Sequence, residues 1–330
     1  MKWKPTELVL STDSIKKLAE VEQLIGKVEG VQLSRPVPKL RQKNRAKLIR
    51  GSTGIEGNSC SVAQVEAIAS GQPVALSKKE QLEIRNALEA YDALPSLDPF
   101  SVDSLLDAHR MLMGNGLLLV PGRFRQGPVE VYVTETKTRS MPAWETVGPS
   151  MEELFGYLKD GKDLMLIKSI CFHFEFVSIH PFADGNGRVA RLWQTRFLME
   201  EHPVFEFLDV ESMVFEQRAA YYRQICNAQD CGNVDCFVLF MLEQIRQSLC
   251  SLWENSAPSQ NTHADRIPIA HQAFGKEVFS RKDYCRLFKT ISPATASRDL
   301  SAGVASGALK RAGDKRTAVY RFVEHVSSKA

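Results

Sequence analysis

The positions from His180 to Arg191, His-Pro-Phe-Ala-Asp-Gly-Asn-Gly-Arg-Val-Ala-Arg, bring together a base, an acid and the makings of an anion cradle. His180 follows a strongly apolar stretch, 164–179, that reads as a buried helix, and Pro181 takes the histidine out of helical geometry at its end. An imidazole with an ordinary pKa of about 6.5 is suited to take a proton from an attacking hydroxyl. Gly185-Asn186-Gly187 lets the backbone enter left-handed conformations, so that successive N–H groups can point into one concavity that accepts an anion. A second helix is expected from Arg188, with Leu192, Phe197 and Leu198 as its apolar positions and its free N–H groups adding to the positive end. Arg188 and Arg191 then share a face of the first turn, where the helix dipole disfavours cations. A phosphate chain would supply the missing negative charge. Asp184, on the same loop, offers carboxylate oxygen to a hard cation such as Mg²⁺.

These residues carry a resemblance. His180, Phe182, Asp184, Gly185, Asn186, Gly187, Arg188 and Arg191 match without departure the pattern H-x-F-x-[DE]-G-N-G-R-x-x-R of the Fic (filamentation induced by cAMP) family. The resemblance implies a mainly α fold, a Fic-type helical bundle with a short β-hairpin flap, and transfer of AMP from ATP to a Ser, Thr or Tyr hydroxyl of a target protein. It implies His180 as catalytic base, and Asp184 as the holder of Mg²⁺ or Mn²⁺ between α- and β-phosphates. The segment Gly185, Asn186 and Gly187 would hold the transferring group, Arg188 the β-phosphate and Arg191 the γ-phosphate. Ser52-Thr53-Gly54-Ile55-Glu56-Gly57 fits the family's inhibitory pattern [ST]-x-x-x-E-[GN]. Ser52, Glu56 and Gly57 are its specified positions, and Glu56 would ion-pair with Arg191 and deny the γ-phosphate its counter-charge. Arg218 to Tyr222 is similar to a family segment lining the nucleotide pocket; Tyr221 and Tyr222 would lie against adenine, with core packing an equal reading.

The elements that must position these groups are mostly helical. Ile15, Leu18, Val21, Leu24 and Ile25 share one face of a predicted helix over 12–27. A second helix is expected over 40–56, closed by Gly57-Asn58, and further helices over 61–69, 78–94 and from Ser101 or Asp103 to Met113. His109 on the last of these, and His173 on the helix before the active loop, read as structural. A strand period appears at Val129, Val131 and Val133, between glycine-rich 114–122 and Met141-Pro142. In the family such a hairpin is the flap that pairs with the target's backbone as an added strand. Helices over 149–157 and 237–252 complete the bundle.

The chain has 330 residues, 44% hydrophobic and 25% charged, with a net charge of +3, too small to argue by itself for nucleic acid or membrane. The N-terminus lacks a signal-peptide pattern and no apolar run reaches spanning length, so a cytoplasmic protein with no membrane partner is expected. Seven cysteines without metal-ligand spacing read as reduced thiols. The expected organisation is an N-terminal helical region over 1–100, a catalytic core over 101–253 with flap 122–143 and active loop 180–191, a linker over 254–265, and a small domain over 266–330. From Asn261 onward thirteen Lys and Arg face six Asp and Glu. That tail resembles the winged helix-turn-helix module appended to Fic proteins, with Thr295, Ser297 and Arg298 on the recognition helix. Two alternatives stand beside the AMP transferase: a DNA-binding regulator whose Fic core senses a nucleotide, and a Fic transferase of another nucleotide. In family members with such a glutamate the reverse reaction, release of AMP, also occurs at this site. A homodimer contact is one means of moving an inhibitory segment.

Overall fold

Serine side chains open five helices of the computed structural model: Ser61, Ser77, Ser101, Ser280 and Ser292 each accept a hydrogen bond from the backbone N–H three residues on. The structure describes residues 6–32, 38–132, 138–256, 263–288, 291–314 and 318–323. In chain order the helices are α1 (Thr12–Gln32), α2 (Pro38–Ile55), α3 (Val62–Ala69), α4 (Lys78–Ala93) and α5 (Val102–Met113). The hairpin strands β1 (Glu130–Tyr132) and β2 (Thr138–Ser140) follow, then α6 (Val147–Asp160), α7 (Met165–Ile179), α8 (Asn186–Leu198), α9 (Val210–Glu216), α10 (Arg218–Cys231) and α11 (Asp235–Ser256). The C-terminal elements are α12 (His263–Phe274), β3 (Phe279–Ser280), α13 (Arg281–Leu287), α14 (Pro293–Ala305), β4 (Leu309–Ala312) and β5 (Val319–Phe322). The fold is mainly α, and none of the described helices is long and apolar enough to cross a membrane.

The chain divides into two compact units, Met1–Leu252 and Trp253–Ala330. In the first, α7 is apolar nearly all round and is buried accordingly. Phe172 and Phe176 enter one core with Trp193 and Phe197, while Ile170 and Phe174 enter a second core with Phe237 and Leu242. Burial on both sides fixes α7, and with it the loop that leads into α8. α1 turns Val21, Ile25 and Val28 inward, but Ile15 is 54% exposed, so the expected apolar face begins one turn later.

α2 lies close against α9. A Cβ on Gly51 would stand 2.5 Å from the Ser212 backbone nitrogen, and one on Gly54 would stand 2.6 Å from the Phe215 ring. The two glycines are therefore what lets the helices approach. The Ser212 hydroxyl donates to the Lys47 carbonyl at 2.9 Å across the same contact.

β1 and β2 pair antiparallel, with Val131 opposite Arg139. Val133, expected in this hairpin, lies outside the described residues. In the second unit the sheet order is β3-β5-β4, with Phe279 opposite Tyr320 and Leu309 opposite Phe322. Tyr284, Phe288, Leu300 and Leu309 fill a core of its own. α12 is an element the sequence reading lacked: it runs through Pro268 and over part of the expected linker, into which α11 also extends. Its Arg266 makes a buried, two-pronged ion pair with Asp299 of α14, at 2.5 and 2.8 Å.

Candidate active site

His180 caps the C-terminus of α7 in the left-handed region, at φ 54° and ψ 60°. His180 leaves helical geometry before Pro181, as expected, and does so in a left-handed turn, with His180 N–H donating to the Phe176 carbonyl at 2.9 Å. Arg125 holds that turn. Its Nε donates to the His180 carbonyl at 2.8 Å, and its remaining nitrogens reach the carbonyls of Gly127 and Pro142 at the base of the hairpin. The His180 Nδ1 lies 3.3 Å from the Val177 carbonyl, which can only accept, so Nδ1 carries the hydrogen and Nε2 keeps its lone pair. Burial pushes the imidazole's pKa below its ordinary value, the Val177 carbonyl working against that shift.

The loop after Pro181 is pinned from below. Phe182 is fully buried and stacks on His109, ring centroids 3.7 Å apart. His109 Nδ1 accepts from Gly122 N–H at 2.8 Å, so Nε2 donates to the Asp184 carbonyl at 3.0 Å. Burial lowers the His109 pKa to about 4, which keeps this clamp neutral. The side chain of Asn186 is spent inside the loop, accepting from Phe182 N–H and donating to the Phe182 carbonyl.

α8 starts at Asn186, two residues earlier than expected. Gly185 alone of the two glycines is left-handed, at φ 83°, while Gly187 lies within the helix. Gly187 is needed for a different reason: a Cβ there would stand 2.6 Å from Glu56 Oε1 and 3.0 Å from Arg191 Nη1. Glu56, just past the end of α2, thus comes down on the first turn of α8. Its Oε1 accepts from Arg191 Nη2 at 2.7 Å, and the same nitrogen donates to the Ser52 carbonyl at 3.0 Å. Burial would raise the Glu56 pKa, but Arg191 overrides it and the carboxyl is held below its ordinary range; the Arg191 pKa is correspondingly raised. Gly57 is left-handed at φ 99° and ends the segment.

Asp184 is exposed, its side chain at 63%, with Oδ1 accepting from Gly185 N–H at 2.6 Å. One free carboxylate beside a cleft suits Mg²⁺, which keeps several waters and takes further oxygens from phosphate. Among the described residues no group of three or more His, Cys, Asp or Glu could form a closed metal cage. Arg188 is buried between Glu83 at 3.7 Å and Asp184 at 3.6 Å, behind the loop. Its Nε has no hydrogen-bond partner in the protein.

A cleft of about 940 Å³ opens over these groups. Glu56, His180, Asp184, Gly187 and Arg191 line it, with β1 on one side and α10 on the other. Val129 and Val131 face it from the hairpin. Tyr222 borders it half exposed, its hydroxyl donating to the Ile55 carbonyl at 3.3 Å. Tyr221 reaches the cleft only at its edge: it is 1% exposed and its hydroxyl is engaged by His173 Nε2 at 2.8 Å. Sequence reasoning missed Arg125, Glu83 and Gln194, which orient the histidine turn, Arg188 and His173 respectively. Nothing in their local sequence distinguishes them from surface polar residues.

Residues 99–198 match the family described as Fic/DOC. "Protein adenylyltransferase fic-1" of Caenorhabditis elegans is 26% identical over 257 residues, which cover 74% of this chain and 48% of that protein. "Protein adenylyltransferase Fic" of Nematostella vectensis is 29% identical over 204 residues, 58% of this chain and 44% of that protein. The chain spans about half the length of the curated relatives it matches. In three dimensions it is similar to the crystal structure of a Fic family protein from Desulfovibrio desulfuricans G20, with a TM-score of 0.75 and 29% identity over 98% of this chain and 99% of that one.

Proposed function

We propose that this chain, which belongs to the Fic family through the domain at residues 99–198, is a protein adenylyltransferase held in check by its own Glu56. The observation that carries this reading is the 2.7 Å contact of Glu56 with Arg191 in the cleft that His180 lines. Similarity to proteins named adenylyltransferases supports the choice of ATP as substrate.

The target hydroxyl enters beside β1, whose Val129 and Val131 flank the cleft. Its oxygen attacks the α-phosphorus of ATP, the bond from that phosphorus to the β-phosphate oxygen breaks, and pyrophosphate leaves. His180 Nε2 takes the hydroxyl proton. The backbone N–H groups at the start of α8, around Gly185 and Gly187, stabilise charge growing on the transferring group. Asp184 would hold Mg²⁺ or Mn²⁺, which neutralises phosphate charge when bound. Arg191 meets the γ-phosphate once Glu56 withdraws. Arg188, sequestered between Glu83 and Asp184, contributes positive potential to the β-phosphate from behind the loop. In the reverse direction Glu56 would place a water to release AMP from a modified protein.

The test is incorporation of α-labelled ATP by the wild type, Glu56→Gly and the double variant Glu56→Gly with His180→Ala. Strong labelling by the single variant alone supports transfer and restraint together. No labelling by any of the three, with Mg²⁺ and Mn²⁺ both tried, rejects the transferase and favours a nucleotide-sensing regulator. Unimpaired release of AMP from a modified target by Glu56→Gly would exclude the water-placing role.

In the second unit the order helix, strand, helix, helix and hairpin, and the alignment of Arg281, Lys282 and Arg311 along one cleft, support a winged-helix module that contacts a polyanion such as DNA.

A further inference from the structure

Beside Arg191 lies a small space of about 10 Å³, which is room for a single water, and Glu56 is not among the residues that line it. Its walls are apolar except for Arg191, Gln194, Thr195 and Glu211. Three of these carry buried polar atoms without a hydrogen-bond partner in the protein: Nε and Nη1 of Arg191, Nε2 of Gln194 and Oε2 of Glu211. Arg191 Nη1 belongs to the Gly187 side, 3.0 Å from where a Cβ there would stand, which leaves two orphaned donors and one orphaned acceptor on residues that line this space, a partner set for a bridging water. The other carboxylate oxygen of Glu211 is fixed, accepting from Tyr91 at 2.9 Å and Thr195 at 3.3 Å. Glu211 is 3% exposed, and no other acidic residue faces this space.

We propose that Glu211 is a second counter-ion of Arg191, linked to it through a buried water shared with Gln194, and that in its ionised form it competes with Glu56 and with the γ-phosphate for the guanidinium's charge. Glu211 is therefore a positioning residue: it sets how firmly Arg191 holds whichever anion occupies the cleft. The inference rests on the reading of Arg191 as the γ-phosphate ligand. Burial raises the Glu211 carboxyl to about 7, with Arg191 opposing, so the carboxylate is charged under mildly alkaline conditions. The other acid near it, Asp209, is also raised to about 7, with Lys47 opposing.

The experiment compares dissociation constants for ATP and ADP at pH 8, in the full chain carrying Glu56→Gly, with and without Glu211→Gln. Removing the charge while keeping the shape should tighten ATP on the order of fivefold and leave ADP, which has no γ-phosphate, unmoved. With Glu56 in place, Glu211→Gln should lower residual labelling by a similar factor, because Glu56 then grips harder. A folding role alone would not separate ATP from ADP. Arg191→Ala in the Glu56→Gly background must collapse the preference for ATP over ADP; if it does not, the γ-phosphate reading falls, and this inference with it. If Arg191→Ala collapses the preference and Glu211→Gln leaves it unchanged, Glu211 is not a counter-ion and the inference alone is overturned. Should Glu211→Gln not fold, Tyr91→Phe removes one donor and favours the protonated carboxyl, and must shift the ratio the same way; an unshifted ratio in folded Tyr91→Phe also rejects the proposal.

Discussion

Glu56 and Arg191 stand 135 positions apart in the chain and 2.7 Å apart in the fold. Breaking a largely buried pair at a functional arginine exchanges one anion for another, so Glu56→Gly should raise labelling from ATP by roughly 5- to 150-fold, the span of ordinary coupling energies. Equal labelling by wild type and variant would remove the restraint from the picture. His180 sets a second expectation. Its pKa lies below the usual value, and the neutral imidazole is the active form in the proposed reaction, so kcat/KM of Glu56→Gly should rise with pH with a midpoint below about pH 6.5. A midpoint above that value would mean that His180 is not the base or is not the buried group seen here. At this scale the grouping was legible: His180, Asp184, Gly185 and Arg191, singled out by type and order, all line one cleft, and their roles as base, metal carboxylate and anion site remain the proposal. The place of Arg188 was not legible, because Glu83, which draws it behind the loop, comes from α4. The second role of Gly187, to admit Glu56, was hidden for the same reason.

At the scale of elements, the proposed restraint would depend on how α2 is seated. Gly51 and Gly54 let α2 press on α9, and the end of α2 carries Glu56 to Arg191. Gly51→Ala should therefore destabilise the first unit by about 1–3 kcal/mol, as overpacking does, and raise basal labelling as Glu56 loses its seat. Thermal unfolding and ATP labelling of one preparation test both effects; a stable variant with unchanged labelling would separate helix seating from restraint. α9 also opens on two buried acids, Asp209 and Glu211, each raised to about 7. In such acids the folded state binds the proton more tightly than the unfolded chain, so their stabilising contribution is complete below pH 4 and is lost as pH climbs toward 7. The unfolding temperature of the first unit should fall over that interval, and fall less in Glu211→Gln. Gly51 and Gly54 are weak helix formers. Only their contact with α9 gives them a purpose.

At the scale of the whole molecule, two units with separate cores predict separable stabilities. Asp299→Asn leaves Arg266 buried without its counter-ion, which costs about 3–5 kcal/mol. Calorimetry should show one transition lowered and the other, with ATP labelling by the Glu56→Gly form, unchanged; loss of both would mean that the units do not fold independently. The basic balance of the tail was visible in composition, and the helix expected to carry Thr295, Ser297 and Arg298 is α14. α12 was not visible, because the polar residues up to Asp265 read as linker and Pro268 argues against a helix, while its place is fixed by long-range contacts of Arg266 and Ala270.

The sequence by itself determined the residue types and spacing of the loop at 180–191, from which its proposed chemistry is read, and the helical class of the fold. Both are local: a motif of fixed spacing sets backbone conformation and charge within a few residues, and apolar periodicity sets the face each helix buries. The tertiary structure decided which groups oppose one another. It set Glu56 against Arg191, brought Glu211 and Arg191 to the lining of one small space, set Glu83 beside Arg188, engaged Tyr221 with His173, and tied the hairpin to the histidine turn through Arg125. Such pairings join residues far apart in the chain, and the close-packed core that enforces them has no signature in any one segment.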